Sequence, residues 1–462
     1  MIGIPASLLS TFLQDENPLV NEWRNQTSVH PLGLTILIIL FCLTILLPKK
    51  SAIFPIITLA CFIPAAQRVV IFQLDFTFLR IMVLAGWLRL FIRQELTMFR
   101  WNGLDTGILI WGIAGIIVKT LQIGDFDAFI YIVGNRFDAL GMYFLFRILL
   151  RNIDNISSTI FAFILISLPV SLFFVFEKTT RHNVFSIFGG VPEITKIRRG
   201  RLRCQGAFAH PILAGCFWAS LTPYFFAFYY KSKSSKIFSL IGIFATLIII
   251  ACCSSSTPIS GLIFSILGFL ILPLRYHLSW LRWLALMIAV SLHFLMKHPI
   301  WHLLARIDFV GGSTGWHRYI LIDQAIHFFP DWWLLGKEDT TYWGYGLFDV
   351  TNQFVLEGVE GGVWTLIAFV VFIVIAFRNL GYVWRFFQKK PYCFLLAWST
   401  GVALFVHNMN FIGVSYFGQI ILVWYLQLAI AANLYSIYMR EKEAKEFVKS
   451  FHVVSQIKDG HL

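Results

Sequence analysis

Arg198-Arg199-Gly200-Arg201-Leu202-Arg203-Cys204-Gln205-Gly206-Ala207-Phe208-Ala209-His210-Pro211 sets four arginines just ahead of a long apolar run. Guanidinium groups stay charged at any physiological pH and grip phosphate oxygens two at a time. The chemistry expected here is anion binding, with a diphosphate at the lipid headgroup level as the fitting ligand for Arg201 and Arg203. Gly206 permits close backbone approach, and Gln205 and His210 are polar neighbours. The plainer alternatives are a cationic patch that meets lipid heads nonspecifically and, for His210 before Pro211, a helix cap.

A second cluster reads Gly311-Gly312-Ser313-Thr314-Gly315-Trp316-His317-Arg318-Tyr319, followed by Asp323 and Gln324. The glycines predict a turn and the residues after it a helix. Arg318 is a further phosphate contact and His317 a candidate base; a membrane-surface helix anchored by Trp316 and Tyr319 explains the aromatics but not the arginine. A third cluster runs from Trp343-Gly344-Tyr345-Gly346 through Asp349, Thr351, Asn352 and Gln353 to Glu357-Gly358-Val359-Glu360-Gly361-Gly362. Tryptophans beside acids and amides suit sugar binding. A base must reach the proton it takes, and Asp349, Glu357, Glu360 and His317 qualify by type. The alternative is a structured lid of hydrogen-bonded turns.

Arg80, Arg136, Asp138 and Arg147 fall inside apolar runs, where charges are costly and face an interior or a cavity. Arg136 is expected to join the anion site and Arg147 to snorkel to the membrane surface. Arg136 and Asp138, two positions apart, are expected on different helix faces. His298 and His302 have i,i+4 spacing without an accompanying carboxylate, so no metal is expected. The seven cysteines form no CxxC pair and read as small buried apolar residues. Walker, GxSxG and dinucleotide fingerprints are absent, which removes support for ATP-driven transport and serine hydrolysis.

These residues need elements to hold them, and composition says which. Of 462 residues, 58% are hydrophobic and only 13% charged, where a soluble domain carries about 25% charged. A surface that apolar is rewarded by lipid. Spanning runs are expected near 32–48, 52–67, 76–92, 104–121, 130–150, 157–176, 211–230, 236–253, 257–273, 280–297, 362–377, 392–408 and 412–432. The fold class is therefore all-α, a polytopic transmembrane bundle of about 12–13 spans with one large non-cytoplasmic loop. The segments are an N-terminal stretch 1–31, a bundle 32–297 that includes the arginine loop 177–210, a large loop 298–361, C-terminal spans 362–438 and a basic tail 439–462. Asp15, Glu16, Glu22 and Arg24 near the start argue against a cleaved targeting segment.

The formal charge of +13 has a topological reading. Alternate turns carry Lys49 and Lys50, Arg89 to Arg100, Arg147 and Arg151, Lys231 to Lys236, Arg275 and Arg282, and Arg378 to Lys390. The positive-inside rule puts these and the tail in the cytoplasm, so nucleic acid is not expected as a partner, while anionic lipid is. The loops 177–210 and 298–361 then lie outside, where their arginines work against topology and call for an anion.

In the order of these motifs the chain resembles the O-antigen ligase/polymerase family of bacterial membrane proteins. The resemblance rests on a many-span layout with a dominant outer loop late in the chain and on the run from Arg201 to Pro211. It rests also on Arg318, Pro330, Gly336, Gly344, Gly346, Asn352 and Gly358-Val359-Glu360-Gly361. It implies a metal-independent, cofactor-free glycosyltransferase of the bacterial inner membrane. Such an enzyme moves a glycan from an undecaprenyl-diphosphate carrier to the hydroxyl of an acceptor glycan or lipid on the periplasmic face. Arg201, Arg203 and Arg318 would hold the leaving diphosphate, with Arg136, Gln205, His210 and Asn352 as further substrate contacts. Where the family pattern has histidine before the asparagine, this chain has Thr351, whose hydroxyl is no base near neutral pH. Asp349 is then the first candidate base and Glu357 the second. The competing readings are a transporter or flippase of a lipid-linked anion and a non-catalytic membrane scaffold.

Overall fold

The computed structural model describes residues 26–71, 74–96, 99–124, 126–306 and 315–458. Residues 1–25 of the expected N-terminal stretch, the glycine turn 311–314 and the last four residues of the tail lie outside the described residues. Apolar runs too long for strands become helices because only a helix satisfies its own backbone in lipid. In chain order these are α1 Pro31–Leu46, α2 Phe54–Phe62, a hairpin of β1 Arg68–Ile71 and β2 Leu74–Thr77, α3 Phe78–Ile92, α4 Gly103–Ile123, α5 Phe126–Leu149 and α6 Ile153–Thr180. A two-residue hairpin of β3 Ile197–Arg198 and β4 Arg201–Leu202 follows. Then come α7 Pro211–Tyr229, α8 Ser235–Cys253, α9 Ser256–Leu270 and α10 Leu278–Leu295. The chain closes with α11 Gly315–His327, α12 Phe329–Trp332, α13 Gln353–Phe386, α14 Pro391–Phe411 and α15 Ile420–Lys458. Each expected span meets a helix, and the molecule is an all-α multi-pass membrane bundle. Among the described residues, eight helices are long and apolar enough to cross a membrane.

The exceptions are informative. Helix α2 has nine residues, so it covers roughly 14 Å, about half the hydrocarbon thickness. The expected span over 52–67 breaks because Pro64 disfavours helix at Ile63. The chain then makes a turn over 64–67, closed by Gln67 N donating to Pro64 O (3.1 Å), before it enters the hairpin. Its carbonyls find side chains: Gln419 Nε2 donates to Ile63 O (3.4 Å), and Arg68 donates to Ala65 O and Ala66 O (3.4 Å each). Non-helical backbone at this depth is tolerated where it lines a cavity. Helix α13 breaks at Gly361 and Gly362. Gly362 has φ +65°, and a Cβ there would lie 2.4 Å from Leu334 O. The bonds freed by the break are met by Val363 N to Trp333 O (2.7 Å), Lys337 N to Val359 O (2.7 Å) and Thr365 Oγ1 to Glu357 O (2.6 Å). The glycine cluster thus sits at a kink between two helical segments and opens the second, which carries the expected span 362–377.

The helices alternate between two ends of the bundle. One end is basic: Arg89 bonds the carbonyls of Thr44 and Leu47 and pairs with Glu95 at 2.8 Å. The long α15 is tied there through Arg100–Glu443 and Lys390–Glu441, both 2.7 Å. Arg147 does not snorkel. It is fully buried against Asp105 (2.7 Å), with Tyr143 and Asn433 completing the network. The opposite end gathers both hairpins, the loop 181–210, the large loop and the turn 412–419, and it carries the polar features expected to do chemistry.

Candidate functional site

A cavity of about 590 Å³ reaches into the bundle from this second end. Its walls are the unwound 63–67 segment, the first hairpin, α4, α5, the first turns of α13 and the turn 412–419. Both broken elements face it, so the irregular backbone that looks costly in a membrane is what shapes the site.

Four cations and four acids line it: Arg68, Arg80, Lys119 and Arg136, and Asp75, Asp138, Glu357 and Glu360. Two pairs are closed. Arg68 meets Asp75 at 2.6 Å within the hairpin. Arg80 forks onto both oxygens of Asp138, each at 2.7 Å, joining α3 to α5. The remaining charges are arranged differently. The Arg136 guanidinium stacks 4.1 Å above the Trp111 ring and lies 3.9 Å from Glu360, beyond hydrogen-bond length. It passes so close to α4 that a Cβ at Gly115 would come within 2.6 Å of it. Glu357 is only 4% exposed. One oxygen accepts from Trp111 Nε1 (2.8 Å) and the other from Gln353 Nε2 (2.9 Å). Gln353 is held in turn by the Tyr416 amide (2.8 Å). Trp111 therefore carries a cation on its face and a carboxylate at its edge, and these two opposite charges are fixed in one wall. Arg136 and Asp138 both line the cavity although they leave α5 in different directions, because the cavity wraps around that helix.

The arginine cluster lies on the other side of the turn 412–419. Arg318, half-buried on α11, donates to Gly413 O (3.1 Å) and Thr257 Oγ1 (2.8 Å). Gly413 gives it room, since a Cβ there would lie 3.0 Å from the guanidinium carbon. Three residues further along the same turn, Tyr416 bonds Gln353 inside the cavity. The arginine loop is held by Glu177, which accepts from the amides of Gln205 (3.1 Å) and Gly206 (2.9 Å) and from Thr195 Oγ1 (2.9 Å). His210 caps α7 through Nδ1, which accepts from Ile212 N (3.1 Å). Burial, together with Arg203, Arg198 and Lys196, holds its proton affinity down at about 3, so the ring is neutral.

The site residues expected from sequence are thus divided. Arg136 and Glu357 line the cavity, and Ala209, the neighbour of His210, reaches its edge. Arg318, Arg203 and His210 belong to the arginine side. Arg201 is exposed on β4. Gln205 is buried and holds its own turn through Phe208 O (2.9 Å). Asn352 is buried as the cap of α13, accepting from Phe354 N (2.9 Å) and donating to Ile412 O (3.2 Å). His317 meets Gly346 O at 3.0 Å. Asp349 is exposed and is not among the cavity-lining residues. Of the candidate bases, Glu357 lines the cavity and Asp349 does not. Trp111, Lys119, Gln67 and Gln419 were not singled out by the sequence reading. Lys119 and Gln419, each inside an expected apolar run, carried a usable signal; Trp111 looks like any aromatic of a span. Among the described residues, no group of three or more His, Cys, Asp or Glu side chains is placed to hold a metal ion, and His298 and His302 stack ring on ring at 4.6 Å. No family model and no curated protein matches the chain.

Proposed function

We propose that this protein is a glycan transferase of the lipid-linked type. It would move a glycan from a polyprenyl diphosphate such as undecaprenyl diphosphate to an acceptor hydroxyl of a glycan or lipid, at the non-cytoplasmic face of a bacterial plasma membrane. The observation that supports this most directly is the fixed pair of Arg136 and Glu357 on Trp111, inside a membrane cavity one turn of chain away from Arg318. In this reading Arg318 and Arg203 grip the diphosphate. The acceptor oxygen attacks the anomeric carbon, the bond from that carbon to the diphosphate oxygen breaks, and the hydroxyl proton passes to Glu357. The leaving diphosphate takes the bonding electrons, and guanidinium charge stabilises it as it departs. Arg136 offsets the charge of Glu357, and its aromatic and amide neighbours suit a sugar.

The test is surface polysaccharide in cells that carry Glu357→Gln, Arg136→Ala or Arg318→Ala. Polymer or ligated product is lost in each while the protein level stays unchanged, and Lys442→Ala at the basic end has no effect. Normal polysaccharide in both Glu357→Gln and Arg318→Ala would falsify the assignment. A second reading, a transporter of a lipid-linked anion, is favoured by the charges that Arg80, Asp138 and Arg136 place on spanning helices. Purified protein in liposomes separates the two: a transferase yields glycosylated acceptor, whereas a transporter moves the lipid across without a new glycosidic bond.

A further inference from the structure

The arginine loop meets the end of α8 at a pair of cysteines. Cys204 lies two residues beyond β4, and its amide donates to Cys252 O at 3.2 Å. The Cys204 and Cys252 side chains are close enough to interact with each other. Cys204 is fully buried and Cys252 is 8% exposed. Lys178 spans the same two segments, donating to Leu202 O (2.7 Å) and Ser254 Oγ (2.9 Å). Each of those acceptors is two residues from one of the cysteines, so Lys178 braces the same two segments that the cysteines bring together. Cys253 points elsewhere: its sulfur lies 3.4 Å from where a Cβ at Gly215 on α7 would stand. All of this sits at the end of the bundle opposite the basic turns. The positive-inside rule gives that end to the non-cytoplasmic side, where disulfides persist.

We propose that Cys204 and Cys252 are joined by a disulfide in the assembled protein, a crosslink that staples the loop carrying Arg198 and Arg203 to α8. A thiolate of the pair attacks one sulfur of an oxidised dithiol carrier, displacing the carrier's other sulfur as thiolate and forming a mixed disulfide. The second thiolate then attacks the protein sulfur of that bond and releases the reduced carrier. The two protein thiols lose two protons and two electrons, and the carrier gains both. The crosslink does not depend on the proposed transfer activity.

The experiment uses the full chain in native membranes. The protein is denatured in SDS without reductant, alkylated with N-ethylmaleimide, digested and mapped by mass. Five of the seven cysteines are then alkylated, and one peptide pair links Cys204 to Cys252. Cys252→Ser exposes Cys204 to alkylation. Seven alkylated cysteines, a link from Cys204 to Cys253, or a link that forms only on addition of an oxidant would each overturn the proposal. The map of the unsubstituted protein decides the matter even where the variant folds poorly.

Discussion

Two side chains define what single residues contribute to this molecule. Asp105 accepts from Arg147 and Tyr143 in a network that is closed to solvent. Removing one member of a buried ion pair leaves the other charge without compensation. Asp105→Asn is expected to cost about 3–5 kcal/mol, read as a fall in the thermal unfolding temperature of detergent-solubilised protein. His210 behaves in the opposite sense. Its proton affinity falls from 6.5 to about 3 in the folded chain, so on acidification the unfolded chain takes the proton first. The stability it contributes is complete above 6.5 and is lost progressively as the pH drops toward 3. His210→Asn keeps an acceptor for the α7 cap and removes the titration. The loss of thermal stability between about pH 7 and about pH 5 should be smaller in that variant. An equal loss in both proteins would show that other groups set the acid sensitivity.

At the scale of elements, the two interrupted helices matter most. Gly362 holds a left-handed conformation with carbonyl oxygen where a side chain would go. Gly362→Ala should therefore destabilise by about 1–3 kcal/mol and should also disturb Glu357, whose carbonyl is tied across the break by Thr365. Gly381, further along the same helix, has open space around it; Gly381→Ala should be neutral or stabilise by up to about 1 kcal/mol. Similar unfolding temperatures for the two variants would contradict the role given to the break. The sequence made the helices legible because a run of apolar residues has one outcome in lipid. It made Arg136 legible for the complementary reason, that a charge in such a run needs a cavity. The exposure of Asp349 and its place outside the cavity were not legible, because residue type and neighbours in sequence say nothing of either. The gap in α2 was announced only by Pro64 and Gln67, inside a stretch whose hydropathy reads as continuous. The meeting of Trp111 and Arg136, on the consecutive helices α4 and α5, with Glu357, 246 residues beyond Trp111, is encoded by no local pattern.

The whole molecule is polarised, with its basic turns and the extended α15 at one end and both hairpins, the large loop and the cavity mouth at the other. A fluorescent protein that matures only in the cytoplasm, fused after Leu462, should fluoresce, and an alkaline phosphatase fused there should be inactive. The reverse pattern would invert the orientation and remove the non-cytoplasmic placement of the site. The half-length of α2 has an electrical consequence. A recess of about 590 Å³ lined by eight ionic side chains admits water from one side, and water conducts the field away. The membrane voltage then drops mainly across the solid remainder of the bundle beneath Arg136 and Glu357. A full crossing is worth roughly 2.3 kcal/mol per charge for each 100 mV, but an anion that settles in the recess traverses only a fraction of that drop. Its occupancy should accordingly be almost indifferent to whether the cell is energised.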